Sequence, residues 1–375
     1  MKTIAYTSPF VPPEWIAAHG LRPCWMRLRA AGGRSPVGLG RGVCPYAGAL
    51  TEAARRWGQT LKHQIGSVRA DLAKPQAHDR PPDRLFDILR SDPITSAVVV
   101  TTACDQMRYA AAVLQQEGEL PVFLFNVPST WQSAAAGRLY FDELRRLGRF
   151  LVRLGGKAPD GKELGRVMLE YDDARAAVRE ARPHLSARQF AEALAGLRGG
   201  ETSPPSLAAS PRPALRGEAA SGGGGVRAGV PLALLGGPLL ERDYALLDRI
   251  EQAGGRVVLD ATEGGERTMP PAFDRRRLRD EPLAELALAY FENIPDVFRR
   301  PNSGLYEWLA RQLAARSAQG IIFRRYVWCD LWHAELHRLR EQSGVPVLDI
   351  DVDGDDGGTL ARTMGRLEAF LEMLR

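Results

Sequence analysis

The four cysteines, Cys24, Cys44, Cys104 and Cys329, are the side chains of this sequence best suited to redox or metal chemistry. They are too few and too dispersed to form a disulfide framework in a chain of 375 residues. In a reducing compartment they would be buried small side chains, a redox pair or metal ligands. The choice among these three roles is the main functional question that the sequence raises.

Two of the cysteines lie in a repeated pattern. Cys104 and Cys329 are each followed by aspartate, and each comes shortly after an apolar predicted strand, at 97–101 and 321–324. A Pro-Val pair begins 17 positions after each cysteine (121 − 104 and 346 − 329). Two β-α-β units of equal length indicate an internal duplication. Because ligands bind beyond the carboxyl ends of parallel strands, we expect the two thiols to converge if the halves face each other.

Cys44 lies in the loop Gly-Val-Cys-Pro-Tyr at 42–46, after a glycine-rich stretch. A loop cysteine followed by proline is common among iron–sulfur ligands. Cys24 falls inside a predicted strand, where a core position is expected. The three remaining cysteines therefore form the candidate ligand set.

Three thiolates can hold a [4Fe-4S] cluster and leave its fourth iron without a protein ligand. The alternative is a zinc site of the Cys₃ or Cys₂His type, with His333 as the fourth ligand. The candidate ligands are far apart in the sequence and lack the Cys-x₂-Cys spacing of structural zinc modules. The pattern therefore favours iron–sulfur over zinc.

Alternating strand and helix patterns on either side of these cysteines predict an α/β fold with parallel sheets. The predicted strands cover 3–6, 23–28, 97–101, 122–125, 231–235, 256–259, 321–324 and 345–348. The predicted helices cover 13–19, 132–155, 162–182, 239–253, 283–291, 304–316 and 360–374, with two more that begin near 106 and 331. The stretch 199–229 has four prolines and no aromatic residue, so we expect a flexible linker between an N-terminal domain with a helical extension, 1–198, and a C-terminal domain, 230–375.

Charge and hydropathy exclude several classes of protein. The chain has 50 Lys and Arg residues and 45 Asp and Glu residues, a net charge of +5, without a basic tail, so nucleic-acid binding is not indicated. No apolar run reaches the roughly 18 residues that a membrane-spanning helix needs. Early prolines interrupt the N-terminus where a secretory signal would be apolar. We expect a cytoplasmic protein.

Two motifs that imitate ligand sites lack an essential residue. The segment 156–162 resembles a phosphate-binding P-loop, but Glu163 replaces the Ser or Thr and a helix precedes it, so we expect a turn between helices. Asp349, Asp351 and Asp353 resemble the start of an EF-hand loop, but Leu360 stands where the glutamate is required.

Six segments of the sequence resemble the 2-hydroxyacyl-CoA dehydratase/benzoyl-CoA reductase family, in the order in which that family has them. They are Tyr-Thr-Ser-Pro-Phe-Val-Pro-Pro-Glu at 6–14, Ala-His-Gly-Leu-Arg-Pro at 18–23, Cys-Pro-Tyr at 44–46, Thr-Ala-Cys-Asp-Gln-Met-Arg at 102–108, Trp-Cys-Asp-Leu-Trp-His-Ala-Glu at 328–335 and Arg-Leu-Glu-Ala-Phe-Leu-Glu at 366–372. The resemblance covers nearly the whole chain outside the linker.

The resemblance implies two flavodoxin-like domains and a [4Fe-4S] cluster held by Cys44, Cys104 and Cys329. It also implies an acyl-CoA substrate, anaerobic chemistry, an ATP-hydrolysing iron–sulfur activator that supplies one electron, and a homodimer or a heterodimer with a paralogous subunit. In the dehydratases the thioester becomes a ketyl radical that expels the 2-hydroxyl group, and in the reductases the electrons enter an aromatic ring.

Such an elimination needs an acid or base near the thiols. His333 lies four residues after Cys329, on one face of the predicted helix, and is the first candidate, with Glu335 and Asp105 behind it. The leading interpretation is an iron–sulfur 2-hydroxyacyl-CoA dehydratase or one of its subunits. A benzoyl-CoA-reductase-like oxidoreductase subunit and a non-catalytic partner subunit are the alternatives.

Overall fold

The computed structural model of the protein describes residues 1–29, 42–72, 95–203, 229–352 and 359–375. These residues form an α/β fold with two four-stranded, all-parallel sheets. Most of the predicted linker (204–228), and the part of the EF-hand-like loop from 353 to 358, lie outside the described residues.

The first sheet belongs to the N-terminal part of the chain. Its strands are β1 (Thr3–Tyr6), β2 (Arg22–Trp25), β3 (Thr95–Thr101) and β4 (Val122–Phe125). Their order across the sheet is β2-β1-β3-β4. Alternate residues of β3 face two different apolar clusters, Val99 on one side and Val98 and Val100 on the other. A strand buried on both faces explains the continuous β-branched run in the sequence.

The second sheet repeats the arrangement. Its strands are β5 (Val230–Gly236), β6 (Gly255–Ala261), β7 (Gly320–Tyr326) and β8 (Val347–Val352), in the order β6-β5-β7-β8. Each strand therefore has the same neighbours as its counterpart in the first sheet, as the predicted duplication requires. All eight predicted strands are present, and β2 and β8 have bounds that differ from the predicted ones by a few residues.

The described helices in the first part of the chain are α1 (Pro13–Ala18), α2 (Pro45–Leu72), α3 (Asp105–Glu117), α4 (Ala134–Arg153), α5 (Gly161–Ala181) and α6 (Ala187–Arg198). The P-loop-like segment is the turn between α4 and α5, as predicted. Neither α2 nor α6 was predicted from the sequence. A capping box between Ser186 and Gln189 begins α6.

The second part of the chain has α7 (Tyr244–Gln252), α8 (Arg275–Asp280), α9 (Pro282–Asn293), α10 (Ser303–Ala315), α11 (Asp330–His333), α12 (Leu336–Gln342) and α13 (Thr359–Leu374). The helix α11 has only four residues, and α12 begins after two intervening positions. None of the described helices is long and apolar enough to cross a membrane.

Helices of the second part also contribute to the core around the first sheet. Tyr140 of α4 stacks on Phe291 of α9, with ring centroids 5.0 Å apart. Glu14 of α1 forms a buried ion pair with Arg175 of α5 and accepts a hydrogen bond of 2.8 Å from the Tyr290 hydroxyl of α9. The ion pair thus joins α1 to α5, and the Tyr290 hydrogen bond together with the Tyr140–Phe291 stack holds α9 against the first sheet.

Candidate functional site

Cys104 and Cys329 occupy equivalent positions in the two halves. Each lies three residues beyond the end of its strand, β3 or β7, and each is the N-cap residue of the next helix, α3 or α11. The Cys104 carbonyl accepts a hydrogen bond of 3.0 Å from the Arg108 amide, and the Cys329 carbonyl accepts one of 2.8 Å from the His333 amide. The sequence prediction that both follow strand ends is confirmed.

Cys44 also stands at the start of a helix. It directly precedes α2, whose first residue is Pro45, and its carbonyl accepts a hydrogen bond of 3.0 Å from the Gly48 amide. Proline suits this first helical position because it has no amide hydrogen to leave unpaired. The Cys44 amide donates to Gln106 Oε1 at 3.1 Å, and Gln106 Nε2 donates to the Gly42 carbonyl at 3.5 Å. The Gln106 side chain thus joins the Cys44 loop to the helix that follows Cys104.

The structure brings Cys44, Cys104 and Cys329 to one cavity of about 80 Å³. At about 10–15 Å³ for each water molecule, a cavity of this volume has room for about five to eight water molecules. Residues of both halves line the cavity, so it lies between the two sheets, at the carboxyl ends of β3 and β7. Its aromatic and aliphatic lining residues are Phe10, Tyr46, Met107, Val297, Tyr326, Leu331 and Trp332.

Burial keeps these thiols protonated in the absence of a bound metal. It raises the pKa of Cys44 to about 11 and the pKa of Cys329 to about 12, and it also raises the pKa of Cys104. Amide groups in the first turns of the helices oppose this effect by donating hydrogen bonds to the sulfur atoms. Amides at a helix N-terminus stabilise a thiolate. A metal binds the deprotonated thiol, so metal binding would release the thiol protons and leave thiolates stabilised by the metal and by these amides.

The donor set fits a cluster better than a single ion. Within the described part of the chain, no three His, Cys, Asp or Glu side chains are placed to hold one metal ion. A tetrahedral zinc with bonds of about 2.3 Å needs its sulfur ligands within about 4 Å of one another. A [4Fe-4S] cluster binds each thiolate through a different iron, so its thiolates lie farther apart. The three thiols line one cavity and do not form a site for a single ion, an arrangement compatible with the wider spacing of cluster ligands.

The three acid–base candidates of the sequence lie elsewhere. His333 is exposed and lines a surface depression with His337 and Arg340, away from the thiol-lined cavity. The Asp105 side chain is 94 % exposed and pairs with Arg108 at 3.1 Å.

Glu335 is buried, but its carboxylate accepts hydrogen bonds from Asn302 at 2.7 Å and Tyr306 at 2.5 Å. It therefore holds α10 against the start of α12 and does not line the thiol-lined cavity. Cys24 lies half-buried within β2 and does not line the cavity either.

Glu263, which sequence reasoning missed, does line the cavity. It follows the end of β6 by two residues and is mostly buried, and within the described residues its carboxyl group has no hydrogen-bond or ion-pair partner. Burial and the nearby Asp296 carboxylate raise the pKa of Glu263 to about 8. The sequence offered only a weak signal for it, because Glu263 follows the predicted strand 256–259 by four residues and belongs to no motif.

Asp296 is the second acid at the cavity, and it is paired. Its Oδ2 accepts a hydrogen bond of 2.7 Å from Arg267, and its Oδ1 accepts one of 3.1 Å from the Phe298 amide. The Arg267 guanidinium also covers the Trp332 ring, 5.3 Å from its centroid. Within the described part of the chain, the cavity therefore has one paired acid, Asp296, and one acid without a hydrogen-bond or ion-pair partner, Glu263.

The fold and this cavity together define a two-sheet α/β protein with three cysteines at helix N-termini around one site. Its sequence matches the family of 2-hydroxyglutaryl-CoA dehydratase D-components over residues 9–374, and the chain belongs to that family. This match confirms the resemblance to the 2-hydroxyacyl-CoA dehydratase family that the six sequence segments indicated. A search of curated proteins finds no match.

Proposed function

We propose that this chain is the cluster-binding component of a 2-hydroxyacyl-CoA dehydratase, with a [4Fe-4S] cluster held by Cys44, Cys104 and Cys329. The observation that carries the proposal is the meeting of three thiols, from helices α2, α3 and α11, at one largely apolar cavity. Three cysteines would leave the fourth iron of such a cluster without a protein ligand. A cluster held there would supply Lewis-acid and reversible one-electron chemistry at the thioester carbonyl of a substrate.

Proton transfer in this elimination is proposed for Glu263. As the neutral acid, its carboxyl group gives a proton to the departing 2-hydroxyl group, which leaves as water. The resulting carboxylate then takes a proton from C3 of the substrate, so that a 2-enoyl-CoA forms and Glu263 returns to its neutral state. Its place in the cavity and its lack of a partner support this role over one for His333, Glu335 or Asp105.

The coenzyme A portion of the substrate has a neighbouring cavity available to it. This cavity has a volume of about 220 Å³ and shares Asp296 with the thiol-lined cavity. Arg299 and Arg311 line it, together with Trp131 and Trp308. Guanidinium groups bind phosphates and indole rings stack on adenine, so Arg311 and the two indole rings support a nucleotide-bearing thioester. Arg299 is buried against Phe10 and Phe291, and Glu292 and Glu307 also line this cavity, so the support comes from Arg311 and the indole rings alone.

The proposed electron donor is an ATP-hydrolysing iron–sulfur activator, and the proposed assembly is a dimer with a second copy or a paralogous subunit. The test is anaerobic: the purified chain, alone and with a paralogous subunit, is given activator, ATP and a set of 2-hydroxyacyl-CoA thioesters. We expect 2-enoyl-CoA as product. Reduction of an aromatic acyl-CoA instead would favour the reductase alternative. Iron binding without turnover under any of these conditions would favour the partner-subunit alternative.

A further inference from the structure

The side chains around the thiol-lined cavity indicate which acyl chain a substrate could place there. Beyond the thiols, its side chains include aromatic and aliphatic groups from both halves, among them Phe10, Met107, Val297 and Leu331. An apolar chain would bury against these groups and brings no polar atom of its own that needs a partner. The lining also includes the polar side chains of Thr7, Ser8, Thr101 and Gln106, none of which carries a charge.

No positively charged residue lines this cavity within the described part of the chain. The nearby arginines have other partners. Arg267 lies against Trp332 and pairs with Asp296 at 2.7 Å. Arg324 pairs with Asp243 at 2.5 Å. Arg299 stacks on Phe10, 4.7 Å from the ring centroid. None of these groups lies in the cavity wall, where it could meet a negative charge on a substrate.

Among the residues that the structure describes, the carboxyl groups in the lining are those of Glu263 and Asp296. A substrate with a second carboxylate at the end of its acyl chain would lose hydration there without gaining a cation. That carboxylate would also approach two acidic side chains. Both effects oppose binding, because a buried charge needs a partner of opposite sign.

We propose that the substrate is a 2-hydroxyacyl-CoA whose acyl chain is uncharged and apolar, and not the dicarboxylic 2-hydroxyglutaryl-CoA. This inference rests on the proposed function and names the substrate class for the same cavity. The family description thus gives the reaction type, and the lining of this cavity gives the substrate preference.

The test compares thioesters of equal shape in binding to the anaerobic, cluster-loaded protein by isothermal titration calorimetry. The probes are 2-hydroxyglutaryl-CoA, its terminal carboxamide, 2-hydroxy-5-methylhexanoyl-CoA and coenzyme A. The methylhexanoyl chain replaces the terminal carboxylate by an isopropyl group, and the carboxamide separates the effect of charge from that of polarity. We expect the methylhexanoyl thioester to bind at least 100-fold more tightly than the glutaryl thioester, with the carboxamide between them.

Introducing a positive charge into the cavity provides a second test of the substrate preference. Met107 has an unbranched side chain in the lining, and Met107→Lys places an ammonium group there without changing the length greatly. We expect this variant to reduce the preference for the methylhexanoyl thioester at least tenfold, and Met107→Gln, the neutral control, to leave it within about twofold.

Equal or tighter binding of 2-hydroxyglutaryl-CoA to the unaltered protein would overturn the substrate inference and leave the proposed dehydratase function in place. If no thioester bound more tightly than coenzyme A itself, both would fail. The two results are therefore distinguishable in one set of titrations.

Discussion

The two halves of the molecule share a strand order, yet they bring different chemistry to the cavity. Both halves place a cysteine after the third strand of their sheet, Cys104 in one and Cys329 in the other. The connection after the second strand differs: it leads to Cys44 in the first half, whereas in the second half it carries Glu263. The duplication therefore supplies matched positions for Cys104 and Cys329, whereas the connections after the second strands contribute a thiol in one half and a carboxyl group in the other.

This asymmetry has a functional meaning in the proposed site. Four thiolates would saturate a cubane cluster, whereas three thiolates and an unpaired acid leave one iron open beside a proton donor. Substitutions at the cysteines, at Glu263 and at Gln106 change what each half contributes to the cavity. We expect their effects on iron content, turnover and iron release to differ in size, with the largest at the cysteines.

The largest effect is expected from Cys104→Ala and Cys329→Ala. Each removes one of two equivalent ligands, so each should eliminate nearly all cluster binding, measured as iron and sulfide per chain after anaerobic purification. Cys24→Ala is the matched control, since Cys24 lies in β2 outside the cavity, and its iron content should equal that of the unaltered protein. Retention of iron in both Cys104→Ala and Cys329→Ala would refute the ligand assignment.

Glu263→Gln should lower turnover by about 10²–10⁴-fold while the iron and sulfide content remains unchanged, because it removes the proton donor and leaves the thiols. In the unaltered protein the acid form of Glu263 is present below its pKa of about 8, so turnover should decline as pH rises through that value. The pH profile of kcat checks this, and an unchanged profile in Glu263→Gln would exclude the residue from proton transfer.

The same substitution should stabilise the cluster-free protein at alkaline pH. A raised pKa means that the folded chain binds the Glu263 proton more tightly than the unfolded chain, so stability falls between about pH 4.5 and pH 8 as that proton is lost. After allowance for partial exposure, Glu263→Gln should raise the free energy of unfolding by about 1 kcal/mol at pH 9 and have less effect at pH 5. Urea unfolding at both pH values measures the difference, and equal effects at the two would contradict it.

Gln106→Leu makes the first half resemble the second, where Leu331 occupies the equivalent position after the cysteine. The variant loses both hydrogen bonds that hold the Cys44 loop, so a chelator should remove iron about 10-fold faster. Gln116→Leu, at an exposed position of the same helix, is the control. Equal release rates in the two variants would show that Gln106 does not position Cys44.

The smallest effect is expected from His333→Ala. Because this side chain is exposed and outside the cavity, turnover should change by less than about twofold. A loss of more than tenfold would return His333 to the reaction and weaken the assignment to Glu263. Steady-state kinetics under saturating activator makes the comparison.

The sequence was informative where chemistry follows from regular structure. Buried β-branched runs predicted β3 and β7, and the repeated Cys-Asp spacing predicted that Cys104 and Cys329 lie at strand ends. The residues near His333 show the limit. Cys329 is an N-cap residue with φ −99° and ψ 82°, and α11 ends at His333, so the spacing of a continuous helix does not place the two side chains on one face.

Glu263 shows a second limit. It lies in an irregular connection with no periodicity or motif, and only the packing of the two halves brings its carboxyl group to the cavity of the thiols. The same is true of Asp296, whose pairing with Arg267 spans 29 positions. Contacts of this kind depend on the tertiary arrangement, which local patterns do not encode.

Mössbauer spectroscopy of the protein, purified anaerobically from cells grown on ⁵⁷Fe, is the most direct test of three thiolates around one inorganic centre. We expect about four irons per chain, three of them alike and one distinct because it lacks a cysteine ligand. Finding no iron, or four equivalent iron sites, would contradict this expectation.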